Sequence, residues 1–210
     1  AAFAQPLDWD KLDVVTFSWQ KVMGSEAGHG MLILSPRAVE RLESYNPPWP
    51  LPKLFRMKKG GKINEGIFQG ATINTPSMLA VEDYIDSLSW AKSIGGLPTL
   101  LKRADENAKV IWDWVETTPW IKNLAANKDE WSNTGVCLVF DDSRIEDNAA
   151  FSKAFVNLLA QENVALDFGS YRDAPAGLRI WCGSAVEKSN LEALVPWLDW
   201  AFETLIQKEG

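Results

Sequence analysis

An α/β fold follows from three observations on the 210-residue sequence. Stretches of strand length, apolar or alternating, take turns with longer stretches of helical period. Ser35-Pro36 and Thr75-Pro76 each place a capping hydroxyl directly before proline, the pairing that opens a helix. Beyond Pro119 the order becomes strand, helix, strand, strand, helix, so the second region reads as α+β.

The elements follow in order. Residues 12–19 alternate as a strand, with Val15, Phe17 and Trp19 on one face. Gln20 and Lys21 lead into a loop holding Gly24, Gly28 and Gly30, and Met31–Leu34 is wholly apolar, as in a strand covered on both faces. Ser35 and Pro36 open a helix to about Tyr45. Four prolines between Pro47 and Pro52 impose an extended loop. Lys58-Lys59-Gly60-Gly61, between Leu54–Met57 and Ile63–Phe68, reads as a hairpin with a glycine turn. Thr75 as cap and Pro76 at the first helical position open a helix to about Ser93, stopped by Gly95-Gly96.

A second helix, near 98–117, joins the two regions; its stripe is Leu97, Leu101, Ala104, Ala108, Ile111 and Val115. Strands are expected at Val136–Phe140, Val164–Phe168 and Leu178–Cys182, and a helix at Asn148–Gln161. The last helix is expected to start on a Ser189-x-x-Glu192 capping box and to kink at Pro196.

Composition excludes several classes. A net charge of −7 argues against general binding to nucleic acid or anionic membranes. Apolar runs such as Met31–Leu34 fall far short of the ~18–20 residues of a bilayer span. One His and two distant Cys assemble no structural zinc spacing, and Cys137 and Cys182 read as buried thiols of a reducing compartment. The start lacks an initiator Met and the basic n-region of a secretory signal, and is expected to belong to a longer protein. The eleven Trp, Trp112, Trp197 and Trp200 among them, read as core filling.

Several motifs carry chemistry, each with a plainer alternative. Lys53, Arg56, Lys58, Lys59 and Lys62 form a basic cluster that could steer an anion, although a solvated hairpin tip is the simpler reading. Ser18-Trp19-Gln20-Lys21 matches the Ser-x-x-Lys of acyl-serine enzymes but ends a strand and lacks the partner triplets. The loop from Gly24 to Gly30 lacks the Gly-Lys-Ser/Thr ending of a P-loop. Lys21, at a strand end before a glycine loop, suits a Schiff-base nucleophile, whereas most lysines are merely solvated. Asn74 and Thr75 before a helix suit an anion, or simple capping. Arg179, on the strand face opposite Leu178, Ile180 and Cys182, suits a carboxylate or phosphate, and Arg172 lies in the turn before it.

Taken together and in this order, these segments resemble one family. Ser18-Trp-Gln-Lys21-Val-Met-Gly followed by Ala27-Gly-His-Gly-Met-Leu-Ile-Leu-Ser-Pro-Arg37 is similar to the Schiff-base lysine region of a bacterial branch of the phosphoserine aminotransferases. Ile73-Asn-Thr-Pro-Ser-Met78 and Ala176-Gly-Leu-Arg179 resemble two further signatures of that family. The resemblance implies a pyridoxal-phosphate enzyme of fold type I from cytoplasmic serine biosynthesis. It implies that residues 1–98 end the large cofactor-binding domain and that 99–210 form the small C-terminal domain. Lys21 would form the Schiff base, Gln20 would reach the cofactor phosphate, and Asn74 and Thr75 would bind the phosphate of the neighbouring subunit's cofactor in a homodimer. Arg179 would hold the substrate's α-carboxylate. Tyr171 and Arg172 stand where many members place a His-Arg pair on the substrate's phosphate; Tyr for His departs from that pattern, and Ser25 stands in place of a glycine.

The resemblance also implies what lies elsewhere. The family's phosphate loop, ring-stacking aromatic and ring-pairing Asp precede the lysine, so the chain is expected to be the C-terminal half, partnered by the N-terminal half of its own subunit. The alternatives are a sister class V aminotransferase of the alanine/glyoxylate type and a catalytically inactive interaction fragment of this fold.

Overall fold

The computed structural model describes residues 2–209 and divides them into two compact units. The first holds Pro6–Ser93, together with Ala2; the second holds Phe3–Gln5 and the chain from Ile94 onward.

In the first unit β1 (Val14–Ser18) pairs antiparallel with β2 (Gly30–Leu34), from Val14 against Leu34 to Ser18 against Gly30. The register needs a glycine: a Cβ on Gly30 would lie 2.8 Å from the Phe17 carbonyl oxygen. Val15 and Phe17 share the more covered face, as the alternation predicts. Met31, Leu32 and Ile33 are 39–41% exposed, so β2 is not covered on both faces. A two-stranded sheet cannot sandwich its own strand, and no other described strand joins it.

Helix α1 (Pro36–Ser44) starts as expected. Ser35 Oγ accepts the Ala38 N–H at 3.0 Å and donates to Asp13 Oδ1 at 2.8 Å. Hydrogen bonds from Arg37 hold the Asp13 carboxyl below its ordinary range, which ties the foot of β1 to the first turn of α1. The hairpin is shorter than expected: β3 (Lys58–Lys59) and β4 (Lys62–Ile63) turn on Gly60 and Gly61 at φ +61° and +80°. One-turn helices at Lys53–Phe55 and Glu65–Gln69 take up the flanks, which are too irregular in pattern to extend a ladder. Three residues of the basic cluster serve as ties. Lys58 Nζ donates to Tyr45 O at 2.7 Å and Asn46 Oδ1 at 2.9 Å, Lys62 Nζ to Glu43 Oε2 at 2.9 Å, and Arg56 Nε to Leu51 O at 2.7 Å.

Helix α2 (Met78–Ser93) begins two residues later than a Thr75 cap would start it. Ser77 Oγ accepts the Ala80 N–H at 3.4 Å, while the Ser77 N–H is taken by His29 Nε2 at 2.9 Å. That side-chain acceptor makes Ser77 the cap and leaves Pro76 outside the helix. The helix ends where Gly95 and Gly96 take φ +112° and +70°.

In the second unit α3 (Leu97–Thr117) buries Leu100, Ala104, Ala108, Ile111 and Val115. Leu100 takes the inner position expected for Leu101, and Leu97 is 47% exposed. Strands β5 (Ile121–Asn123), β6 (Gly135–Phe140) and β7 (Leu178–Trp181) form an antiparallel sheet in that order. Helices α4 (Asn148–Gln161) and α5 (Lys188–Glu209) complete a core built on Phe151, Phe155, Leu159 and Leu198, all at most 2% exposed. Trp120 stacks on Phe202 at 4.1 Å, and Asn107 Nδ2 donates to Val186 O at 2.9 Å.

Several expectations differ here, and one strand was not foreseen. Val164–Phe168 is no strand, because Asn163 and Asp167 take φ +56° and +57°; a single bridge pairs Gly169 with Leu178. β5 is only three residues long and lacks a periodic signal. α5 starts at Lys188, so Ser189 lies inside it rather than capping it, and Pro196 lies within the helix. Trp197 and Trp200 are 39% and 37% exposed, and Trp112 is only packed against the core's edge, whereas Trp19, Trp114 and Trp120 are the tryptophans that fill cores. Burial pushes the Cys182 thiol up to about 12, but Cys137 is only half-buried.

Candidate active site

The predicted site residues fall in both units. Lys21, Gln20, Asn74 and Thr75 belong to the first, and Tyr171, Arg172 and Arg179 to the second.

Lys21 is presented by its neighbours. Trp19, Val22 and Met23 are 8%, 1% and 4% exposed, and a turn closes from Gly24 N to Lys21 O at 3.0 Å. Burying the residues on either side leaves the Lys21 side chain pointing to the open surface. Among the described residues it makes no hydrogen bond or ion pair. Gln20 is partly covered, with Oε1 buried and unpartnered.

The loop after Lys21 is laced along one face of α2. Trp19 stacks flat on Tyr84 with centroids 4.4 Å apart, and the Ser25 and Ser87 hydroxyls lie 2.6 Å apart. Glu26 N–H donates to Asp83 Oδ2 at 2.6 Å, and a Cβ on Gly28 would stand 3.2 Å from that of Ala80. His29 meets Trp19 edge-on at 5.3 Å and accepts the Ser77 N–H. Ser77, Ala80, Tyr84 and Ser87 recur every three or four residues, the period of a single helix face. Desolvation there raises the Tyr84 phenol above its usual range. Asn74 and Thr75 stand just ahead of this helix; both are exposed, and their side chains make no hydrogen bond among the described residues. His29 is the anchor that the sequence left without a role. Its signal was a lone imidazole in a loop of small residues, facing a helix striped with Ser and Ala.

In the second unit β7 carries Arg179 on the face opposite Leu178 and Ile180, which are each 1% exposed. Gly177 before it must be glycine, since a Cβ there would lie 2.0 Å from Leu138 O. Arg179 N–H donates to Phe168 O at 2.8 Å, which sets Asp167 beside the strand. The guanidinium meets Tyr171 Oη at 3.2 Å and Asp167 Oδ2 at 3.1 Å, over the Tyr171 ring at 4.3 Å. Tyr171 therefore engages Arg179 directly. Arg172 lines a neighbouring surface cleft with Lys153, Asn157 and Ser170. The arrangement offers an exposed amine in one unit and an aromatic-backed guanidinium in the other. Among the described residues no His/Cys/Asp/Glu cluster could hold a metal ion, and no helix is long and apolar enough to cross a membrane.

No protein-family model matches the chain. Over 203 residues, 97% of its length, it is 55% identical to the phosphoserine aminotransferase of Methanosarcina mazei, and 54% identical to that of Methanosarcina barkeri over 204 residues, 96% of its length. The chain is a relative of the phosphoserine aminotransferases. It spans about half the length of the curated relatives it matches, 54% and 53% of these two.

Among solved structures, the phosphoserine aminotransferase of Bacillus circulans subsp. alkalophilus matches all of the chain with 51% of its own, at TM-score 0.74 and 20% identity. An alanine–glyoxylate aminotransferase from Nostoc matches 95% of the chain with 51% of its own, at TM-score 0.72 and 17% identity. These likenesses give the fold, that of the fold-type I pyridoxal-phosphate aminotransferases.

Proposed function

We propose that this chain is the C-terminal half of a cytoplasmic, homodimeric phosphoserine aminotransferase, working with the N-terminal half of its own subunit. The reaction exchanges an amino group between O-phosphoserine with 2-oxoglutarate and 3-phosphohydroxypyruvate with glutamate. The observation that carries it is 55% identity over nearly the whole chain, in a sequence that keeps Lys21, Asn74, Thr75 and Arg179 in one order. In this reading 1–98 finish the large domain and 99–210 make the small one.

The residues present fit pyridoxal phosphate. Lys21 offers an amine without a competing partner, Gln20 an amide whose NH2 is a donor suited to a phosphate, and Asn74 and Thr75 free donors before a helix. Lys21 and Gln20 would hold the cofactor of their own site, and Asn74 and Thr75 the phosphate of the neighbour's. When bound, the cofactor supplies an aldehyde for the amine and an electron sink that acidifies the substrate's Cα–H. Lys21 is the base that removes that proton and the acid that returns it, so its amine must be free and mobile. Arg179 orients the substrate through its α-carboxylate by parallel charge-assisted hydrogen bonds. Arg172, beside Lys153 on the same cleft, meets the substrate's phosphate, with Tyr171 next to it.

Lys21→Ala in the complete subunit tests this reading. Transamination and the protein-bound cofactor absorbance are expected to vanish while circular dichroism is unchanged. Borohydride reduction that fixes the cofactor to any other lysine overturns it.

A further inference from the structure

Arg179, which the proposed function assigns to the substrate's carboxylate, already carries a carboxylate from its own chain. Nη2 donates to Asp167 Oδ2 at 3.1 Å, with Asp167 O at 3.5 Å. Nη1 donates to Tyr171 Oη at 3.2 Å, and the Tyr171 ring backs the guanidinium at 4.3 Å. Nε is buried and has no hydrogen-bond partner. Asp167 thus fills one half of the Nε–Nη2 edge, the edge a carboxylate grips with two parallel hydrogen bonds, and leaves the other half empty.

The two partners of Arg179 differ in kind. Tyr171 holds the guanidinium from its ring face, 4.3 Å from Cζ, and from its hydroxyl. Asp167 reaches in from solvent, its side chain 89% exposed against 21% for Arg179, and its carboxylate holds by a single oxygen. Its backbone sits at φ +57°, a conformation that Asp and Asn tolerate but that most residues avoid. An exposed, single-point ion pair is weak and easily exchanged.

We propose that Asp167 is an internal competitor for the substrate's carboxylate: it covers Arg179 in the empty site and gives way when a ligand carboxylate takes the Nε–Nη2 edge. The exchange trades a one-point contact for a two-point one and gives Nε its partner. Tyr171 remains in place through the exchange as a positioning residue. This inference rests on Arg179 being the carboxylate-binding residue of the proposed aminotransferase.

The test uses the complete subunit with its cofactor and follows the glutamate half-reaction at low ionic strength. Asp167→Asn keeps a residue suited to positive φ and removes the charge; Asp167→Gly removes the side chain without strain. Both variants are expected to lower the KM for glutamate about two- to fivefold at unchanged kcat, with the gap closing in high salt. An unchanged or raised KM in both variants overturns the competitor role. Arg179→Ala is the separate control, expected to raise the KM more than about tenfold. Should Arg179→Ala leave the KM as it was, the carboxylate assignment itself falls, and the inference with it.

Discussion

The two units bury their apolar residues to different degrees. In the second, β6 and β7 present Val136, Leu138, Leu178 and Ile180 to the core, each 1% exposed, together with Phe155 and Leu159 of α4 at 0%. In the first, Val14 is 58% exposed and Met31, Leu32 and Ile33 about 40%. A three-stranded sheet with three helices closes a core of its own. A two-stranded ribbon needs a cover it cannot make, and in the proposed subunit that cover is the N-terminal half.

Stability measurements can break this comparison. Phe155→Ala is expected to cost about 3–5 kcal/mol by denaturant unfolding, with or without the N-terminal half. Ile33→Ala in the 210-residue chain alone is expected to cost under ~1 kcal/mol, rising toward ~2–4 kcal/mol once the complete subunit covers it. Equal costs for Ile33→Ala in both settings would mean that nothing further packs on β2.

A smaller effect sharpens the substrate reading. Arg172→Ala is expected to weaken phosphoserine by about ten- to a hundredfold more than glutamate in their half-reactions. Arg179→Ala should harm both alike, since both carry the α-carboxylate. Equal losses in the Arg172 variant would favour the alanine/glyoxylate type instead. Smaller again is the capping test in the first unit. Ser77→Ala is expected to destabilise by about 1 kcal/mol, and Thr75→Ala by almost nothing. The reverse order would restore Thr75 as the cap. Thiol labelling at neutral pH should modify the half-buried Cys137 well before Cys182, whose thiol stays protonated until about 12; faster labelling of Cys182 would mean the core opens readily.

What could be read in advance follows from how local each signal is. Ser35-Pro36, the α4 boundaries at Asn148 and Gln161, and the Gly95-Gly96 stop depend on a few neighbouring residues, and all appear in the structure. The Thr75 cap failed because the deciding acceptor, His29, lies 48 residues away. The strand at Val164–Phe168 failed because apolar composition says nothing of two residues in the left-handed region. At the site, Arg179 was legible as a strand-face position, whereas Lys21, read as a strand end, lies in the turn after β1. The hold of Asp167 on Arg179 was not, since it depends on a loop turning back beside β7.

The lacing of the Lys21 loop to α2 has an evolutionary consequence. Ser25 with Ser87, Glu26 with Asp83, Gly28 with Ala80 and His29 with Ser77 form four rungs between one loop and one helix. In the proposed dimer, Lys21 at one end serves its own site while Asn74 and Thr75 at the other serve the neighbour's. A substitution on any rung would shift both at once, so drift here should be paired: a larger residue at 28 only with a smaller one at 80, and a lost imidazole at 29 only with another acceptor for the Ser77 amide.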